Sequence, residues 1–180
     1  MNATRILSAQ HRAIEALFDE VEQETRRRAR AGAVSRLAEE LIAHVAAEEA
    51  VFYPALTRVL DDGLEASEQG RQDHLMLRVE LRRVLEASVS NPSFADRMTA
   101  LRDLFSRHVW HEELALFPRV VSEFSRAQLE VLAAKVLASR PPVWIVTSER
   151  NERRSPVPHS GGSDWVLGSS VSLPLPPSAD

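Results

Sequence analysis

The chain has 180 residues, 44% of them apolar and 27% charged, with a net charge of −4. That size supports one domain whose core needs no covalent staple, and the absence of cysteine excludes disulfides, thiolate metal sites and thiol nucleophiles. The N-terminus lacks a signal-peptide pattern, no apolar run nears the roughly 18 residues that span a bilayer, and the acidic balance argues against nucleic-acid binding. The expectation is a soluble, cytoplasmic protein with neither a membrane nor a nucleic acid as partner.

The first predicted helix runs from about Thr4 to Arg30, with Leu7, His11, Ile14, Phe18 and Val21 recurring at three and four residues in one stripe. Arg26, Arg27, Arg28 and Arg30 read as its C-terminal end, where cations suit the dipole, and Gly32 as its stop. The alternative reading of the run is a nucleic-acid or targeting patch. A second helix is expected from about Val34 to Leu60, with Leu37, Leu41, His44, Glu48 and Val51 inward. Pro54 removes a backbone donor and kinks that helix or ends its regular part. After a turn at Asp61-Asp62-Gly63, a third helix extends to about Ala87 with His74, Leu77, Leu81 and Leu85 on one face. A connection from Ser88 to Ser93 leads to a fourth, from about Phe94, whose inner face carries Met98, Leu101, Leu104 or Phe105, His108 and Glu112.

Ser125-Arg126-Ala127-Gln128 is a capping-box pattern and opens a short fifth helix ending near Ser139. Short connections between long amphipathic helices favour antiparallel neighbours. The predicted fold is therefore all-α: an up-down-up-down four-helix bundle with a short fifth helix and a Pro/Ser-rich C-terminal tail. The domain covers residues 1–140, and the composition changes at Pro141. Residues 141–180 hold seven of the ten prolines and no helical period, so they read as a disordered or loosely docked tail. Within it, Val143-Trp144-Ile145-Val146 is the segment suited to pack on the bundle or pair with a protein partner, and His159 receives no role.

The stretch His44-Val45-Ala46-Ala47-Glu48-Glu49-Ala50-Val51-Phe52-Tyr53-Pro54 is echoed by His108-Val109-Trp110-His111-Glu112-Glu113-Leu114-Ala115-Leu116-Phe117-Pro118. Each His-Glu pair is four residues apart and projects from one face of a helix. A further histidine precedes each copy: His11 by 33 residues and His74 by 34. In a bundle, side chains from all four helices meet in one layer of the core. Buried imidazoles and carboxylates are costly unless hydrogen-bonded, paired or metal-bound. A lone histidine on an apolar stripe is usually a satisfied core residue; four such positions, two with a glutamate one turn on, point to metal. Four histidines and two glutamates offer mixed nitrogen and oxygen donors, suited to Fe, Mn or Zn rather than Ca or Mg. Six ligands would saturate one octahedral ion. Shared between two ions, with the glutamates bridging, they leave open positions for O2, NO, peroxide or water. Glu49 and Glu113, offset by about 100° from Glu48 and Glu112, suit a solvated face or a supporting role behind the ligands. Tyr53 and Phe117 are expected to pack above the site, Tyr53 with a hydroxyl that can reach a bound ligand, and Trp110 to lie at the surface or an interface.

Over about residues 5–123 the chain resembles the hemerythrin-like HHE cation-binding proteins, through the two His-x-x-x-Glu motifs, each ending in an aromatic-Pro pair, and their upstream histidines. The resemblance implies a non-haem di-iron centre in a four-helix bundle, held by His11, His44, Glu48, His74, His108 and Glu112, with the glutamates bridging. It also shows a departure. Oxygen-carrying hemerythrins have a fifth histidine four residues after the one on the third helix, where this chain has Arg78. Their fourth-helix carboxylate is an aspartate five residues after its histidine, whereas Glu112 follows His108 by four. The pattern is more similar to the four-histidine, two-glutamate branch, which includes iron-sensing and iron-sulfur-repair proteins. His111 either replaces the fifth ligand or faces a neighbouring helix or solvent.

The function expected is that of a di-iron protein binding or sensing O2, NO or peroxide, or handling iron under oxidative or nitrosative stress. One alternative is a di-iron oxidoreductase with catalase-like or NO-reducing activity. Another is a metal-responsive interaction module that acts on a protein partner through the tail. Zinc-protease, ferritin-type, P-loop and dinucleotide-binding motifs are absent.

Overall fold

A computed structural model describes residues 2–139, so the readings made for Val143–Val146, His159 and the rest of the tail lie outside the described residues. Seven α-helices follow in order: α1 (Ala3–Gln23), α2 (Arg27–Ala47), α3 (Tyr53–Val59), α4 (Gly63–Glu86), α5 (Ser93–Trp110), α6 (Phe117–Glu123) and α7 (Arg126–Ala138). Two π-helical turns, Glu48–Phe52 and His111–Leu116, join α2 to α3 and α5 to α6 without a break. The result is an all-helical bundle of four long rods with α7 packed on α1, and the described residues contain no strand.

The π turns sit where each proline would otherwise clash. An α-helical Pro54 or Pro118 lacks an N–H and collides with the carbonyl four residues earlier. Inserting one residue widens the turn: the Tyr53 N–H donates to the Glu48 carbonyl and that of Phe117 to the Glu112 carbonyl, five residues back. The chain therefore stays helical through Pro54, with the regular α-helix ending at Ala47 where the π turn begins. The widened turn also advances the helix face, so Phe52 and Tyr53 are buried where the 3.6-residue period placed Val51, which is only half-buried.

Two further boundaries differ from expectation. The arginine run opens α2 rather than closing α1. Local partners outweigh the dipole there: Glu24 accepts from the Arg26 backbone and side chain, and Arg30 donates to the Val21 carbonyl at 3.0 Å and lies over the Phe94 ring. On α4 the inner stripe ends at Val84, which is buried, and Leu85 is 44% exposed. The fifth helix begins as predicted: Ser125 Oγ accepts from the Gln128 N–H at 3.3 Å, and Gln128 returns the bond to the Ser125 N–H at 2.8 Å.

Gly63 owes its place to close approach rather than to a turn conformation. A Cβ there would lie 2.9 Å from Thr57 Cα and closer still to the Leu56 carbonyl, so α3 and α4 touch backbone to backbone. One turn on, buried Ser67 donates to the Gly63 and Tyr53 carbonyls.

Two apolar cores lie on either side of one polar layer. Ile14, Phe18, Leu37, Leu41, Leu77 and Phe105 belong to one; Leu7, Phe52, Leu56, Phe117, Val120 and Val136 belong to the other. A fully buried Leu, Ile or Phe contributes about 1.5–3 kcal/mol. Two such cores offset the several kcal/mol that a buried layer of histidines and carboxylates costs.

Candidate metal centre

The polar layer brings all six predicted residues together. His11 comes from α1, His44 from α2, Glu48 from the first π turn, His74 from α4, His108 from α5 and Glu112 from the second π turn. None is more than 3% exposed. Glu48 is central. Its Oε1 lies 3.3 Å from His44 Nε2 and 3.9 Å from His11 Nε2, while its Oε2 lies 3.0 Å from His74 Nε2 and 3.5 Å from His108 Nε2. Glu112 Oε2 is 3.4 Å from His11 Nε2 and 3.8 Å from His108 Nε2. The Tyr53 hydroxyl donates to Glu112 Oε1 at 3.0 Å and lies 3.2 Å from His74 Nε2.

Three histidines are held from behind. Nδ1 of His11 is 2.9 Å from Glu113 Oε1, Nδ1 of His74 is 3.0 Å from Glu49 Oε1, and Nδ1 of His44 is 3.0 Å from Gln10 Oε1. An ionised carboxylate and an amide oxygen only accept, so each Nδ1 donates and each Nε2 presents its lone pair inward. The repeat crosses over: Glu113 of the second copy holds the histidine of α1, and Glu49 of the first holds the histidine of α4. Arg78 grips both Glu49 oxygens at 2.8 Å and so stands behind His74, outside the centre. His111 is half exposed with its Nδ1 3.9 Å from Asp73, and is not among the converging side chains. Trp110 is at the surface, 60% exposed.

Burial, reinforced by the neighbouring imidazoles, holds the His44 pKa well below the usual histidine value. Burial and His108 bring His74 down to about 4, and burial lowers His108 as well. Neutral imidazoles are the form that binds metal. Burial and the charge of Glu112 push the Glu48 carboxyl far up. Burial acts on Glu112 in the same sense, but His108 and His11 outweigh it and hold Glu112 ionised. Burial also raises the Tyr53 phenol, which keeps its proton.

A metal fits this donor set on a test internal to the structure. Nε2 of His11, His44 and His108, Oε1 of Glu48 and Oε2 of Glu112 are buried with no hydrogen-bond partner among the described residues. They face one another, and ligand atoms of His11, His44, Glu48 and His108 all lie within 4.8 Å of each other. Leaving one such group unsatisfied costs about 1–3 kcal/mol, and a bound cation would satisfy all five together.

Two contributors escaped the sequence reading. Gln10, which holds His44, immediately precedes the upstream histidine of the first copy, and that adjacency was its signal. Gly70 had no such signal. A Cβ at Gly70 would fall 2.9 Å from Tyr53 Cε2 and closer still to Cζ and Oη, so its hydrogen is what admits the phenol to the site.

The profile of the hemerythrin HHE cation binding domain matches residues 2–120. A protein from Nostoc sp. named a DNA nickase is 29% identical over 140 residues, which are 78% of this chain and 39% of that protein. The chain thus spans about two fifths of the length of that relative. A crystal structure of a hemerythrin HHE cation binding domain-containing protein from Mycobacterium kansasii has the same fold, with a TM-score of 0.68 at 23% identity over 77% of this chain and 84% of the other. With its motifs doubled and its buried nitrogen and oxygen donors converging, the chain belongs to the hemerythrin HHE family of cation-binding helical bundles.

Proposed function

We propose that the centre holds two iron ions and binds or senses O2, NO or peroxide. The observation that carries the reading is the split around Glu48, whose Oε1 serves His11 and His44 while Oε2 serves His74 and His108. His11, His44, His74, His108, Glu48 and Glu112 would together hold the pair of ions. Two imidazoles and shared carboxylates suit iron, manganese or zinc rather than calcium or magnesium, and the resemblance to di-iron proteins of the family favours iron. Bound iron supplies a redox couple and coordination positions left free by this small ligand set. The chain supplies the rest. Glu113, Gln10 and Glu49 orient three of the imidazoles, and Phe105 and Phe117 pack against His11 and exclude water. Tyr53 holds a proton at Oη, donated to Glu112 Oε1.

The test is elemental analysis of freshly purified protein, with an optical spectrum before and after air exposure. About two irons per chain are expected from the ligand count. Protein that carries no iron and cannot be loaded anaerobically refutes the proposal. Peroxide or NO turnover by the loaded protein, abolished in Glu48→Ala, would mark it as an enzyme; binding without turnover would mark a sensor or a role in iron handling. The tail-dependent interaction module rests on residues outside those described.

The Nostoc relative supports a second reading. Paired metals also activate water for phosphodiester cleavage, and that protein's name assigns it DNA nicking. Conversion of supercoiled plasmid to open circles by the metal-loaded chain, lost in Glu48→Ala, would favour it; intact plasmid would remove it.

A further inference from the structure

The two halves of the centre are not equally closed. In one, Gln10 ties down His44, and Phe117 lies parallel to the His11 ring. The repeat places Asp73 where Gln10 stands and Tyr53 where Phe117 stands. In that second half His108 Nδ1 has no partner among the described residues, so its imidazole is the one of the four without a tether.

Beside this open half lies a cavity of about 300 Å³. Its floor is Tyr53, His108 and Glu112, all buried, with unpartnered atoms on His108 and Glu112; its rim includes Glu65, Asp73 and His111, of which Glu65 and His111 are exposed. The cavity therefore runs from exposed rim residues down to the buried residues of the polar layer. Arg119, also on the rim, is bound to Asp62, so the charges of Glu65 and Asp73 are left facing the opening.

We propose that this cavity is the loading route for the centre, taken by a hydrated divalent cation that docks transiently on Asp73 and His111 at the rim. The proposal rests on the reading of the buried layer as a metal site. A bare cation does not cross into a protein interior, because the cost of stripping its water is prohibitive. A carboxylate and an imidazole at the mouth replace water stepwise, and Glu65 raises the local cation concentration. A low-dielectric cleft lined by one sign of charge accelerates capture of the opposite sign by about 10- to 1,000-fold. The same rim disfavours small anions and leaves neutral O2 and NO unaffected.

Stopped-flow uptake of Co(II), followed by absorbance on the metal-free full-length chain, tests this. Asp73→Asn/Glu65→Gln should load about tenfold more slowly at low salt and reach the same final stoichiometry, with the difference shrinking at 1 M salt, where the screening length is about 3 Å. Asp96→Asn/Asp103→Asn removes the same charge from residues that do not line the cavity, and should load like wild type. His111→Ala should slow loading at both salt concentrations. Equal rates for wild type and the rim variants, with metal bound in all, overturn the route while leaving the centre intact. A wild-type chain that takes up no metal overturns the centre and the route together.

Discussion

The substitution Gly70→Ala separates helix propensity from the packing that admits Tyr53 to the centre. Glycine in a helix interior costs about 1 kcal/mol relative to alanine, so on propensity alone the change stabilises α4. The added Cβ, however, would sit 2.9 Å from Tyr53 Cε2, about half an ångström inside ordinary contact, and deeper into Cζ and Oη. Tyr53 is fully buried, stacked on His74 and bonded to Glu112, and has nowhere to go. Overpacking of this kind costs about 1–3 kcal/mol. The gross overlap puts this case at the upper end, for a net loss of about 2 kcal/mol. Gly32→Ala is the control, because a Cβ there meets nothing nearer than Arg36 Nη1 at 3.7 Å. It should gain about 0.5–1 kcal/mol. Urea unfolding of the metal-free protein reads both; with a slope of about 2 kcal/mol per molar, the midpoints should differ by about 1.5 M. A stabilised Gly70→Ala chain would refute the claim that Tyr53 is seated by that glycine.

Glu48→Gln removes the carboxyl group between the four imidazoles, and should abolish metal uptake while leaving the metal-free chain about as stable, since burial already favours the uncharged carboxyl that the amide replaces; thermal melts with and without metal check both. Chelation should lower the wild-type melting temperature through loss of ligand-linked stability and leave that of Glu48→Gln unchanged. Metal-free protein should lose stability as pH falls from about 6.5 to 4: His74, depressed to about 4 by burial and His108, stays neutral when folded but takes up a proton when unfolded. His74 alone contributes up to about 3 kcal/mol to that loss, and a flat profile in urea titrations across this range would contradict its burial as a neutral ring. Ser125→Ala removes the Oγ that accepts from the Gln128 N–H at the start of α7 and should cost about 1 kcal/mol by the same unfolding assay.

The six converging side chains were legible because they obey helical arithmetic. His44 with Glu48, and His108 with Glu112, are four residues apart on stripes otherwise apolar, and the doubling of the pattern made coincidence untenable. The capping box at Ser125 was equally local, a matter of two side chains and two backbone amides. What the linear pattern could not show were interactions depending on a third element. The π turns arise from each proline's clash with its own preceding turn, and they shift the inner face by one residue, from Val51 to Phe52 and Tyr53. The arginine run switched helices because Glu24, the Val21 carbonyl and the Phe94 ring lay within its reach. Glu49 and Glu113 turned inward because the histidines they meet come from the other copy of the repeat, an exchange visible only once the rods are antiparallel. Composition and spacing thus determined which histidines and glutamates meet in one buried layer. Tertiary packing decided which side of it is sealed by Gln10 and Phe117 and which opens beside Asp73 and Tyr53, because that difference lies in the space between helices rather than along any one of them.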